Sequence, residues 1–379
     1  MFCAIDFGTS NSAIAIPDAG SGMRLVELEP GHPTMPTAVF YFAEGPEVDG
    51  PPRAFGRAAV SAYVDGLDGR LMRSMKSVLG SSLIDQTTDV GGGRGVKYID
   101  IVGGYLKRLK IQAGAPITRA MLGRPVFFVD DDPVRDAQAQ AALESAARQV
   151  GFEDVHFQYE PIAAAFDYER TVSEEQIVLV ADIGGGTSDF SVVRVGPQHA
   201  VKLERKSDIL ANHGVHIAGT DFDRRVELAA ILPEYGYGAL GARIAGAPAR
   251  EVPSSVYFDL ATWHLINTVY GPGRVAELRS MRSFYGNPLH HDRLMVVINE
   301  RLGHELAARA EQAKIDVSEG GDTVIDLSHT ERRLSVTLSE QTAVQAIDAD
   351  IERIVGAARS TVLQAGLTPD RIDALYFTG

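Results

Sequence analysis

Apolar residues in this chain come in short runs, and two pairs of runs are split by glycine turns. Phe2-Cys3-Ala4-Ile5 and Ala13-Ile14-Ala15-Ile16 flank Asp6-Phe7-Gly8-Thr9-Ser10-Asn11, while Ile177-Val178-Leu179-Val180 and Phe190-Ser191-Val192-Val193 flank Asp182-Ile183-Gly184-Gly185-Gly186-Thr187-Ser188-Asp189. Each set reads as strand, glycine turn, strand, written twice. Thr37 to Phe42, Pro125 to Val129, Val155 to Tyr159 and Ile372 to Gly379 predict further strands. The spacing of Ile101, Val102, Tyr105, Leu106 and Leu109 predicts a helix over 99–111. Asp132-Pro133 predicts the cap and first turn of an alanine-rich helix ending near Gly151. Helices are also expected from Glu160, from Gly219 to about Leu232, over 302–318 and over 340–366, with two strands between 323 and 338. Strands alternating with helices in two similar halves predict α/β lobes with a ligand cleft between them.

The two turns carry specific chemistry. Glycine tolerates positive φ and leaves room for several backbone N–H groups to converge on an anion. Thr9, Ser10, Asn11 and Thr187 add polar side chains, and Asp6 and Asp182 end the entering strands with carboxylates suited to Mg²⁺ held through water. Two such turns are suited to clamp a polyphosphate and its metal.

Composition narrows the classes of function. The 379 residues are 45% hydrophobic and carry a net charge of −14, against a nucleic-acid or anionic-membrane surface. Cys3 is the single cysteine and sits in an apolar run, so there is no intrachain disulfide framework; a reducing, cytoplasmic setting is the expectation. No apolar run has the length of a membrane span.

At this point the motifs fall into the pattern of a family. The chain resembles the nucleotide-binding domain of the seventy-kilodalton heat-shock chaperones of DnaK type, and within them a short YegD-like branch. Besides the two phosphate turns, Glu160-Pro161-Ile162-Ala163-Ala164-Ala165 resembles the family's connecting segment and Gly219-Thr220-Asp221-Phe222-Asp223 its Gly-Gly-x-x-Phe-Asp turn. Ala310-Glu311-Gln312-Ala313-Lys314 with Ser318 resembles its adenosine-contacting helix. The resemblance implies a two-lobed actin-like (ribonuclease H-like) α/β ATPase fold with a central nucleotide cleft. Lobe I is expected over 1–170 (core 1–37 and 113–170, inserted subdomain about 38–112), and lobe II over 171–379 (core 171–226 and 322–379, inserted subdomain about 227–321).

The resemblance also implies roles. Asp6 and Asp182 would hold Mg²⁺ through water; Lys76, Glu160, Asp182, Thr187 and Asp189 would form the hydrolytic set. Gly8, Thr9, Ser10, Asn11, Gly184, Gly185, Gly186 and Thr187 would meet the phosphates of ATP or ADP, with Gly219, Thr220, Glu311, Lys314, Ser318 and Gly379 also on the nucleotide. The implied activity is slow hydrolysis of Mg-ATP in chaperone-like work, with protein clients or co-chaperones as partners. A nucleotide-dependent interaction module without hydrolysis, and a small-molecule kinase of the same superfamily, are the alternatives.

Several positions depart from the family pattern. Ile315 stands where an arginine usually stacks on adenine, and the segment 233–288, with Tyr257, Trp263 and Tyr270, is longer than its equivalent and suits a small extra core. Pro125 matches the proline of interdomain signalling, but its arginine is displaced to Arg135. Phe377-Thr378-Gly379 begins the last nucleotide motif without its second Gly, Ser and Arg, so a C-terminally truncated second lobe is expected. Gly236-Tyr237-Gly238-Ala239-Leu240-Gly241 fits Gly-x-Gly-x-x-Gly, but no strand precedes it, and a loop is expected. His213, His216, His290 and His291 lack zinc-site partners in the sequence, and Asp130-Asp131-Asp132 reads as an acidic helix start.

Overall fold

The computed structural model describes residues 1–379 apart from 19, 21, 47–49, 74, 82, 91–92, 115, 130–131, 203, 243–249 and 264. Gly91 and Gly92, of a glycine-rich stretch over 91–95 that predicts a loop, and part of the Asp130–Asp132 run therefore lie outside the described residues. The expected α/β class is met, and the described chain forms two compact units: Met1–Gly214 with Ala357–Gly379, and Val215–Gly356.

In the first unit, strand Phe2–Phe7 pairs in parallel with Arg119–Arg124 and antiparallel with Asn11–Pro17; Asp154–Tyr159 continues the sheet beyond Arg119–Arg124. Period-two alternation turns Cys3, Ile5 and Phe7 into the core, against Tyr105, Leu106 and Leu109 of helix Tyr98–Gln112 and Leu143 and Ala146 of helix Pro133–Gln149. The same alternation leaves Asp6 off the core face. Asp132 caps helix Pro133–Gln149 by accepting from the Arg135 N–H at 3.1 Å, as Asp-Pro predicts.

The strand expected over Pro125–Val129 is not one. The strand ends at Arg124, with Ala120, Leu122 and Arg124 buried in alternation. Pro125 has no N–H to give a ladder, and the next backbone groups are taken by side chains: Arg124 donates to the carbonyls of Pro125 and Val126, and Asp136 accepts from Phe128 N–H at 2.6 Å. An apolar run whose backbone is already partnered gains nothing from a sheet.

A second sheet has the order Ile209–Val215, Ser188–Val195, Gln176–Ile183, Ala374–Thr378. Gln176–Ile183 and Ser188–Val195 form the second glycine hairpin, with Asp182 opposite Asp189. Ile162 and Ala165 of helix Glu160–Glu169 pack on Val178, Val180, Val193 and Val195. Beyond the hairpin, the buried Arg205 pairs with Glu169 at 2.9 Å and with Asp208 at 2.5 Å, tying the loop before Ile209 to the end of that helix.

The second unit is mainly helical. Helix Gly219–Val226 widens into a π turn over Glu227–Ile231 and tightens into a 3-10 turn over Leu232–Tyr235, where Pro233 forbids an ordinary α continuation. Its core gathers Ile231, Leu232, Tyr235, Tyr257, Leu294, Val297 and Leu306. Tyr257 is fully buried, and its hydroxyl donates to the Tyr235 carbonyl at 2.8 Å, so the long 233–288 segment supplies core. Among the described residues no helix is long and apolar enough to cross a membrane.

Candidate functional site

The two glycine loops of the first unit come together. A Cβ built on Gly185 would stand 2.6 Å from Ser10 Oγ, so a larger residue there must move the serine hydroxyl. Each loop is also closed on itself: Gly8 leaves no room for a Cβ beside the Asn11 carbonyl, and Gly184 N–H donates to the Thr187 carbonyl at 3.0 Å. Thr9 and Gly186 lie in the same loops. Gly379, at φ +124°, follows the strand that pairs Thr378 with Asp182, and a Cβ there would overlap the backbone of Ile183.

A charged cluster belongs to these loops. Lys76, on the short turn Met75–Val78 anchored by the buried Met75 and Leu79, donates from Nζ to Glu160 Oε1 at 2.6 Å. Glu160 opens helix Glu160–Glu169, where Pro161 sets the first turn. Asp6 keeps one side open to water but is otherwise hemmed in by protein. That desolvation, with Glu160 and then Asp182 acting against the gain of Lys76, pushes its carboxyl up to about 6. Asp182 is also pushed up, first by burial, then by Glu160 and Asp189, with Lys76 again opposing. Among the described residues, Asp6, Asp182 and Glu160 thus gather on the Lys76 ammonium, and the carboxylates outnumber it.

That surplus suits a divalent cation. Among the described residues no group of three or more His, Cys, Asp or Glu side chains is arranged to ligate a metal directly. The donor set of Asp6 and Asp182 fits Mg²⁺, which retains most of its water shell and is commonly bound by one or two carboxylates.

The second unit assembles the other expected residues. Asp221 accepts from Ala218 N–H at 3.0 Å and fixes the start of helix Gly219–Val226, which carries Gly219 and Thr220. Lys314, on helix Gly303–Ser318, pairs with Asp223 at 2.6 Å and places Nζ 3.5 Å from the Gly219 carbonyl. Glu311 lies one turn earlier on that helix. Burial raises the Asp223 carboxyl; Lys314 lowers it and Glu311 raises it, so the three residues share one neighbourhood. Ser318 turns its hydroxyl back to the Ile315 carbonyl at 2.6 Å, and Ile315 is exposed.

Other residues of these surroundings were not legible as such. Gly123 passes Glu160 closely, Gly214 has no room for a Cβ beside the Asp189 carboxylate, and Arg124 lies buried two strand residues from the Asp6 strand's partner Leu122. Glycine at a strand end is the available signal for the first two. The displaced Arg135 donates to the Gly80 carbonyl at 2.6 Å, four residues beyond Lys76. Glu227 is fully buried beside Asp223, and desolvation drives its carboxyl well above the usual range.

The family model described as Hsp70 protein matches residues 100–232, which hold Glu160, the second glycine hairpin and the Gly219–Asp223 turn. The chain is 31% identical over 244 residues to "Chaperone protein DnaK" of Buchnera aphidicola subsp. Schizaphis graminum (strain Sg), covering 59% of this chain and 36% of that protein. It therefore spans about a third of that relative's length. The family model falls on three of the sequence motifs, and over 100–232 this chain is similar to the Hsp70 family.

Proposed function

We propose that the loops around Ser10 and Gly185 hold the phosphates of Mg-ATP and that the adjoining cluster promotes its slow hydrolysis. The observation that carries this reading is the Lys76–Glu160 pair set among Asp6, Asp182 and Asp189 beside two converging glycine loops. Gly8, Thr9, Ser10 and Asn11 from one loop, and Gly184, Gly185, Gly186 and Thr187 from the other, take the β- and γ-phosphates, with Gly379 beside the second. When bound, Mg²⁺ supplies neutralisation of phosphate and carboxylate charge. Glu160, Asp189 and Thr187 orient the attacking water, and Lys76 steadies the charge on the transferred phosphoryl group. Water oxygen bonds to the γ-phosphorus as its bond to the β-bridging oxygen breaks, and ADP leaves. By the family resemblance, Gly219, Thr220, Glu311, Lys314 and Ser318 are the residues suited to the adenosine.

The name of the DnaK relative supports chaperone-type work, with protein clients and co-chaperones as partners, and the short YegD-like branch and lobes at 1–170 and 171–379 belong to the same proposal. Thermal unfolding with Mg-ATP or Mg-ADP tests binding. A ligand at a hundred times its Kd should add about 2.7 kcal/mol to the folded state. Asp182→Asn is expected to lose most of that gain, and no shift at millimolar Mg-nucleotide would overturn the proposal. A shift without single-turnover hydrolysis would retain binding and remove the ATPase activity.

Gly185→Ala probes the loops more finely. The added Cβ must displace Ser10 Oγ, and overpacking of this kind is expected to cost about 1 kcal/mol, roughly fivefold in Mg-ADP affinity by titration calorimetry. Unchanged affinity would remove Ser10 from the phosphate contacts.

A further inference from the structure

Arg124 ends a strand and is only 7% exposed. Its guanidinium is engaged on all its nitrogens. Nη2 donates to both carboxylate oxygens of Asp136, at 3.1 and 3.0 Å, and to the Val126 carbonyl at 3.2 Å. Nε donates to the Pro125 carbonyl at 3.0 Å, and Nη1 to Gln140 Oε1. The ring centres of Phe128 and Tyr159 each lie 5.1 Å from the guanidinium carbon. Taking a cation out of water is costly even when it is this well matched, and apolar side chains commonly fill such a place as well.

The contacts of Arg124 lead to the charged cluster. Tyr159 is its cross-strand partner and immediately precedes Glu160. Gly123, just before Arg124, runs so near Glu160 that a Cβ would stand 3.3 Å from both Glu160 Cγ and Oε1. We propose that Arg124 is a positioning residue for the Lys76–Glu160 pair. Pinned by Asp136 and Gln140 of helix Pro133–Gln149, the guanidinium holds the Tyr159 ring, and so sets the first turn of helix Glu160–Glu169 where Glu160 meets Lys76. Lysine cannot replace it, since one ammonium lacks the planar fork and the flat face. The inference rests on Lys76 and Glu160 being hydrolytic machinery, and its test separates the two.

Two measurements are made on Arg124→Met and Arg124→Lys in the whole chain. Single-turnover hydrolysis of Mg-ATP is expected to fall at least tenfold in both, while Kd for Mg-ADP stays within twofold; a rate within twofold of wild type overturns the inference. Independently of nucleotide, urea unfolding of Lys76→Met in the wild-type and Arg124→Met backgrounds measures coupling. The loss in folding equilibrium constant caused by Lys76→Met should shrink at least fivefold when Arg124 is gone, and equal losses in the two backgrounds overturn the inference. If the wild-type chain hydrolyses no ATP, the proposed ATPase activity fails and the coupling still decides the role of Arg124. Because Arg124→Met strands the Asp136 carboxylate, Tyr159→Leu gives a second variant that keeps the ion pair and removes the ring; the same rate loss and the same coupling to Lys76→Met are expected of it, and their absence overturns the inference.

Discussion

Replacing Lys76 with methionine is expected to slow single-turnover hydrolysis of Mg-ATP about 100- to 1000-fold, the loss typical of removing one well-placed electrostatic donor from a transition state. Lys76 acts on both Asp6 and Asp182, and its Nζ lies 2.6 Å from Glu160. Its side chain is 12% exposed, so water replaces little of what it supplies. Methionine keeps an unbranched side chain of similar length and removes the charge. Mg-ADP affinity should stay within about threefold, because the phosphate contacts come from the two glycine loops. Glu160→Gln should also slow the reaction, and the double variant should be little slower than Lys76→Met, since two members of one unit cannot be lost twice. A Lys76→Met rate within fivefold of wild type would remove the pair from the chemistry.

The two hairpins were readable because each is local: a carboxylate, a glycine turn and flanking apolar runs within about twenty residues. The Lys76–Glu160 pair joins residues 84 apart in sequence, so its geometry required the resemblance to a family before the structure supplied it. Pro125–Val129 misled because apolar content says nothing about where backbone hydrogen bonds go; side chains of Arg124 and Asp136 had taken them. Arg124 itself was unreadable, since an arginine in a strand is ordinarily exposed and only the register with Tyr159 shows otherwise. The π turn at Glu227 follows from packing of Leu228, Ile231 and Leu232 into one core, which no local propensity announces.

Protonation of Asp6 is expected to govern both stability and Mg-nucleotide affinity near pH 6. Its folded-state carboxyl titrates at about 6, above the ordinary 3.8, so the folded chain binds that proton more tightly than the unfolded chain does. Stability of the nucleotide-free protein should therefore fall as pH rises from about 4 to about 6, and remain lower above it. The raised Asp182 carboxyl acts in the same direction. Asp6→Asn removes the repulsion and should raise the thermal midpoint of the nucleotide-free protein at pH 7.5. The gain is about 1 kcal/mol, well below the full shift because the side chain keeps an open face that water screens. The same substitution should weaken Mg-ADP binding at pH 7.5, since the charge that repels its neighbours is the charge a divalent cation needs. In the wild type, Mg-ADP affinity should drop about tenfold more between pH 7 and pH 5 than in Asp6→Asn, as about nine-tenths of Asp6 becomes protonated at pH 5. The difference between the two proteins cancels titration of the nucleotide's own phosphates. Calorimetric titration at three pH values measures it, and parallel affinity curves, or a lower midpoint for nucleotide-free Asp6→Asn at pH 7.5, would place Asp6 outside the cation site.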